Sequence, residues 1–256
     1  MSLFIDRDFL TISFRYAVVT GANKGIGFEI VRQLASKGIV VVLTARDEKK
    51  GLEAVEKLKD YGLSDHVVFH QLDISDPASI ASLADFIKAK FGKLDILVNN
   101  AGISGLKLEA DLLIIFVFLV STFCPVFLFQ NIPNKRAQGV LGDVENLTEE
   151  KLDEILKEFL KDFKEGSVEA KGWPTFASAY TISKAAVSAY TRILAKKYPS
   201  FCINCVCPGY VKTDLNSNTG NVPVEEGAAR AVRLALLPDG SPSGIFLFSR
   251  KCLLSE

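Results

Sequence analysis

The chain has 256 residues, enough for one large α/β domain or two small ones with a substantial buried core. Thirty basic residues balance thirty acidic ones, and no basic block carries interleaved aromatics, so the footprint of a nucleic-acid binder is missing. The opening MSLFIDRDFLTISF breaks its apolar residues with Asp6, Arg7 and Asp8, so no signal peptide is predicted and a cytoplasmic protein is expected.

The first hundred residues alternate two patterns. YAVVT is a short β-branched run, followed by the glycine turn GANKGIG and the helical FEIVRQLASKG. IVVVLT, DEKKGLEAVEKLKDYG, VVFHQ, PASIASLADFIKAKFG and LDILV continue the alternation. Strands of near-continuous apolar character are covered on both faces, which predicts a parallel sheet with helices on each side. After Gly142 the pattern resumes. Leu152, Ile155, Leu156, Phe159, Leu160 and Phe163 recur at helical spacing, with Thr148 as cap and Glu149 and Glu150 at the positive end of the dipole. A second helix is predicted through SAYTISKAAVSAYTRILAKKY, then a strand FCINCVC, a turn PGYVKTD, a helix VEEGAARAVRLALL and a final strand GIFLF. No internal repeat or low-complexity linker divides the chain, so residues 1–256 read as a single α/β domain.

Five cysteines are an odd set, and Cys202, Cys205 and Cys207 crowd into CINCVC. A metal site would need partners, yet the only histidines are His66 and His70 and no second cysteine pair exists. A buried strand with reduced thiols is the better reading, and no metal is expected.

Three stretches carry chemistry. TGANKGIG sets Gly21, Gly25 and Gly27 between a strand and a helix, where the backbone can turn tightly and a pyrophosphate can approach the helix amides. Nineteen residues beyond Gly27, an acidic residue would accept the ribose hydroxyl of NAD, whereas a cation suits the 2′-phosphate of NADP. TARDEK places Arg46 there, with Lys24 inside the glycine turn, so NADP is favoured; Asp47 beside Arg46 blurs the sign. YTISK sets Tyr180 and Lys184 four apart on one helix face, where an ammonium can stabilise a phenolate.

In the order TGANKGIG, NNAG, YTISK and PGYVKTD, these motifs resemble the short-chain dehydrogenase/reductases. The segment from Asn131 resembles an insertion found in the plant menthone reductase, neomenthol dehydrogenase and salutaridine reductase group. The likeness covers roughly residues 15 to 105 and 131 to 248. It implies a Rossmann-type doubly wound sheet, NADPH as cofactor and reduction of an apolar, cyclic or terpenoid ketone. Catalysis would fall to Tyr180 and Lys184. The cofactor would be held by Gly21, Lys24, Gly25, Ile26 and Gly27, by Arg46, by Asp73 at the adenine, by Asn99, by Lys184 at the ribose and by Thr213 at the nicotinamide amide. Residues 131–175 would form the insertion or lid, which covers a face other members use to dimerise, so a monomer is implied.

One stretch departs from that pattern. LLIIFVFLVSTFCPVFLF, residues 112–129, has no charge, within an atypical segment 106–130. The family places a helix, a strand and a catalytic serine there. A membrane span would set the two halves of the sheet on opposite sides of a bilayer. A strand LLIIFVFLV would leave Ser121 at its carboxyl end but no crossover helix. A helix over 107–123 with a strand PVFLF would leave no serine. An altered transcript joined to an otherwise ordinary enzyme is the expected origin, and the alternatives to an active reductase are a cofactor-binding pseudoenzyme or a membrane-associated protein.

Overall fold

The computed structural model describes residues 14–102, 132–175, 177–238, 240–248 and 251–253. The apolar stretch 112–129, its reading as strand, helix or span, and Ser121 therefore lie outside the described residues. Among the described residues, no helix is long and apolar enough to cross a membrane.

Four strands, β1 (Tyr16–Val19), β2 (Val40–Ala45), β3 (Val67–Gln71) and β4 (Ile96–Val98), form a parallel sheet in the order β3-β2-β1-β4. The helices α1 (Gly25–Ala35), α2 (Glu48–Lys59) and α3 (Pro77–Phe91) make the crossovers. Alternate residues of each strand serve opposite faces, as the pleat demands. Val19, Val41 and Leu43 join Ile30, Val31 and Leu34 of α1 in one core layer, while Val18 and Val42 join Leu72, Leu83 and Ile87 in the other. Pairing stacks Val18 between Val42 and Leu97. Val18 and Val42 are sealed, but Leu97 at the β4 end of that row is 54% exposed.

Helix ends follow their chemistry. Asp47 accepts from the Lys50 amide to start α2, and Asp76 caps α3 with Pro77 as its first residue. Gly92 closes α3 in the left-handed conformation at φ 72°.

The chain resumes with α4 (Lys135–Gly142), α5 (Glu149–Lys164) and α6 (Ser178–Lys197). Leu152, Ile155 and Phe159 of α5 pack with Ile182, Ala185 and Ala189 of α6 around Trp173. The apolar stripe of α5 is thus core. Trp173 Nε1 donates to the buried Asp162 carboxylate at 2.7 Å, pinning the approach to α6. Helix α4 was not apparent in the sequence, because Gly139 and Gly142 depress helix propensity; Asn134 caps it by accepting from the Ala137 amide.

A second sheet follows: β5 (Cys205–Cys207) and β6 (Phe246–Phe248) are parallel, and β7 (Lys251–Leu253) returns antiparallel. Two expectations are corrected here. FCINCVC is strand only over its last three residues, since Ile203 N donates to Ser243 Oγ and Asn204 Oδ1 accepts from Ile245 N in place of a regular ladder. Among the described residues the last strand is β7, too short to leave a period. Helix α7 (Val224–Ala235) packs against α1, β4 and β5, and Gln33 Nε2 donates to Glu225 O at 3.0 Å. Val206 and Leu247 of the second sheet enter the same core layer as Val19 and Leu43 of the first.

Candidate active site

The glycine turn lies at the carboxyl end of β1. Gly21 has φ 61° and Gly25 φ 59°, conformations that side chains resist. A Cβ on Gly27 would come within 2.4 Å of Asn100 Nδ2 and 2.8 Å of Gly21 O, so that position is closed to any other residue. Asn100 is the fastener: its Nδ2 donates to Thr20 O and Gly21 O at 2.9 and 3.1 Å, while its amide and that of Ala101 donate to Thr20 Oγ1. The second asparagine of NNAG thus ties β4 to the turn, a role the sequence reading passed over in favour of Asn99, which is half-buried beside it.

Lys24 occupies the cap of α1 with extended backbone, and its side chain caps nothing. No acidic residue stands in the first turn of α1. The cradle therefore offers uncapped amides, a positive helix end and no Cβ in the way, a fit for a dinucleotide pyrophosphate. Ile26 is partly buried and packs its side chain against the core, leaving its backbone for the turn.

Arg46 is exposed at the end of β2, and its carbonyl accepts from Gln71 Nε2. At the end of β3, Asp73 accepts from Ser75 N and Oγ at 2.9 and 2.6 Å. Those bonds, with a smaller effect from Arg46, hold its carboxyl below the usual range. Arg46 and Asp73 thus follow the adjacent strands β2 and β3.

Tyr180 and Lys184 share a face of α6, with Lys184 Nζ 5.6 Å from the centre of the Tyr180 ring. Lys184 is buried, and desolvation lowers its ammonium to about 8. Between pH 8 and the ordinary lysine range, the unfolded chain holds a proton that the folded chain has shed. This residue's contribution to stability therefore rises with pH across that window and is lowest below it. Lys184→Met should accordingly melt higher than the unmodified protein at pH 7, with the gap narrowing toward pH 10. Parallel melting curves across that range would contradict this.

Thr213 begins a compact turn after β5. Its amide donates to Asn216 Oδ1, its carbonyl accepts from Asn218 N at 2.8 Å, and Asn216 Nδ2 holds Val211 O. A Cβ on Gly25 would lie 3.7 Å from Thr213 Cγ2, so this turn abuts the glycine turn. Lys24 Nζ reaches across to Asp214 Oδ2 at 3.0 Å. Asp214 stands in PGYVKTD, yet nothing in the sequence pairs it with a lysine 190 positions earlier. Cys205 and Cys207 are buried strand residues, and desolvation pushes the Cys205 thiol up to about 12, far from metal-binding or nucleophilic form.

Known proteins resemble this chain. The family pattern described as short chain dehydrogenase matches residues 15–115, and that described as enoyl-(acyl carrier protein) reductase matches residues 166–238. A protein named short-chain dehydrogenase/reductase 1 from Saponaria officinalis is 54% identical, covering 91% of this chain and 93% of its own. The chain belongs to the short-chain dehydrogenase/reductase family. It is an oxidoreductase of alcohol and ketone groups in a family that binds nicotinamide cofactors. A (+)-neomenthol dehydrogenase from Arabidopsis thaliana is 50% identical over 93% of the chain and 96% of its own length. The structure of salutaridine reductase from Papaver somniferum superposes with a TM-score of 0.84 at 45% identity, covering 93% of this chain and all of that one. The Saponaria match runs over 281 positions, more than the 256 residues of this chain, so that reductase carries sequence with no counterpart here.

Proposed function

We propose that the chain is an NADPH-dependent carbonyl reductase of small apolar, cyclic or terpenoid ketones, acting as a cytoplasmic monomer. The observation that carries this reading is the buried Lys184, its ammonium over the ring of Tyr180 one turn away on the same helix. The names of the neomenthol and salutaridine relatives support a cyclic ketone, and α5 packed on α6 supports a monomer. The bound cofactor supplies the hydride. Tyr180 donates its phenolic proton to the substrate oxygen as charge develops there. Lys184, still protonated at neutral pH, stabilises the phenolate left behind and holds the ribose. Gly21, Gly25, Ile26 and Gly27 present backbone to the pyrophosphate, Asp73 meets the adenine, Asn99 lines the groove and Thr213 holds the nicotinamide amide. Turnover of cyclic monoterpenoid ketones with NADPH, followed by loss of its absorbance, tests the reading; no oxidation with any such ketone would refute it.

Cofactor choice should follow the cations. Arg46 and Lys24 can meet a 2′-phosphate with charge-assisted hydrogen bonds, so NADPH should bind more tightly than NADH. Arg46→Asp should invert that order. Equal affinities in the unmodified protein would remove the basis for the assignment.

The second reading is a chain that binds cofactor without turning over substrate. It is favoured by the sequence this chain lacks relative to its Saponaria relative. Nucleotide titration beside the turnover assay separates the two.

A further inference from the structure

We infer that Asp214 is a specificity-determining residue that restrains the NADP preference by competing with the cofactor's 2′-phosphate for Lys24. The inference rests on the NADPH reading above. Lys24 is one of two cations assigned to that phosphate, yet in this structure its Nζ is bonded to Asp214 Oδ2 at 3.0 Å, and that bond holds the Asp214 carboxyl below its usual range. Asp214 is not a chance neighbour. It sits in the short 3-10 turn Asp214–Asn216, which Thr213, Asn216 and Asn218 lock by hydrogen bonds. Ser217 and Asn218 follow at φ 53° and 60°, left-handed conformations that side chains adopt reluctantly and that fix the turn's direction. A bridge between Val211 and Val222 and the bond from Lys212 N to Val222 O close the base of the loop. The carboxylate is thus presented by a built scaffold toward the mouth of the glycine turn.

Both partners are about two-thirds exposed, so water and salt weaken the pair and it can open. Lys24 is then an exchangeable cation. Its ammonium serves either Asp214 or the 2′-phosphate, while Arg46 is left to the phosphate throughout. NAD lacks that phosphate, so release of Lys24 should favour NADP selectively.

The test is titration of the purified full chain with NADP+ and with NAD+ at low ionic strength. Asp214→Asn keeps the shape of the side chain, and Asp214→Ala serves if the asparagine restores a neutral bond to Lys24. Either should raise the ratio of NADP+ to NAD+ affinity about two- to fivefold, the range an exposed ion pair allows. The gain should shrink as salt is raised. In a Lys24→Ala background the same substitution should leave the ratio unchanged; a rise there would mean a general charge effect and would overturn the competition. An unmodified chain that binds neither nucleotide overturns the NADPH reading and this inference together. A chain that binds NADP+ while its Asp214 variants show an unchanged or lower ratio overturns this inference alone.

Discussion

Tyr180→Phe should abolish ketone reduction, by roughly a hundredfold or more, while leaving nucleotide affinity close to that of the unmodified chain. Tyr180 is half-buried on α6, with its ring beneath the Lys184 ammonium. Removing one oxygen leaves the ring, its packing and that contact in place. The lost group acts only where charge develops on the substrate oxygen, so the damage should appear in kcat and not in cofactor binding. Lys184→Ala is the contrasting case, since it should injure both turnover and nucleotide affinity. A Tyr180→Phe protein that kept most of its rate would show that the proton comes from elsewhere.

The second large effect concerns residues 106–130. Exchange of this segment for the corresponding helix, strand and serine of a related reductase should raise both soluble yield and turnover, the latter by about a hundredfold if the exchange restores one carbonyl-polarising donor. Among the described residues, β4 is hydrogen-bonded only to β1 and β5 only to β6. Leu97 of β4 is 54% exposed in a row whose other members are sealed. Apolar sheet surface and an unpaired edge are both routes to aggregation. The natural segment adds eighteen residues without one charge. Soluble expression of the unmodified chain with ordinary reductase rates would defeat this expectation.

Much of the architecture was legible because its signals are local and periodic. VVFHQ forms a strand over all five residues, and Thr148 caps α5 by accepting from the Lys151 amide. Tyr180 and Lys184 meet because four residues make one helical turn. The features without a sequence signal are set by tertiary contact. Asn204 replaces a ladder with side-chain bonds to Pro242 O and Ile245 N, and no periodicity announces that. Asn100 and Asp214 each act through a partner at least 79 positions away. Helix α4 carries two glycines and forms because Ala137 and Leu141 bury themselves against the α5–α6 pair.

The position of α7 has a consequence for synthesis. The bond that Glu225 O accepts from Gln33 Nε2 spans 192 positions, and the apolar face of α7 packs against α1 and β4. At ordinary translation rates α1 leaves the ribosome roughly ten to forty seconds before α7 does. Through that interval the face of α1 that α7 will cover is already made but unpaired. Pairings this distant also form late, because loop closure must precede any contact they gain. A message truncated before codon 224 would therefore yield a polypeptide that carries the glycine turn without the helix that packs on α1 and β4.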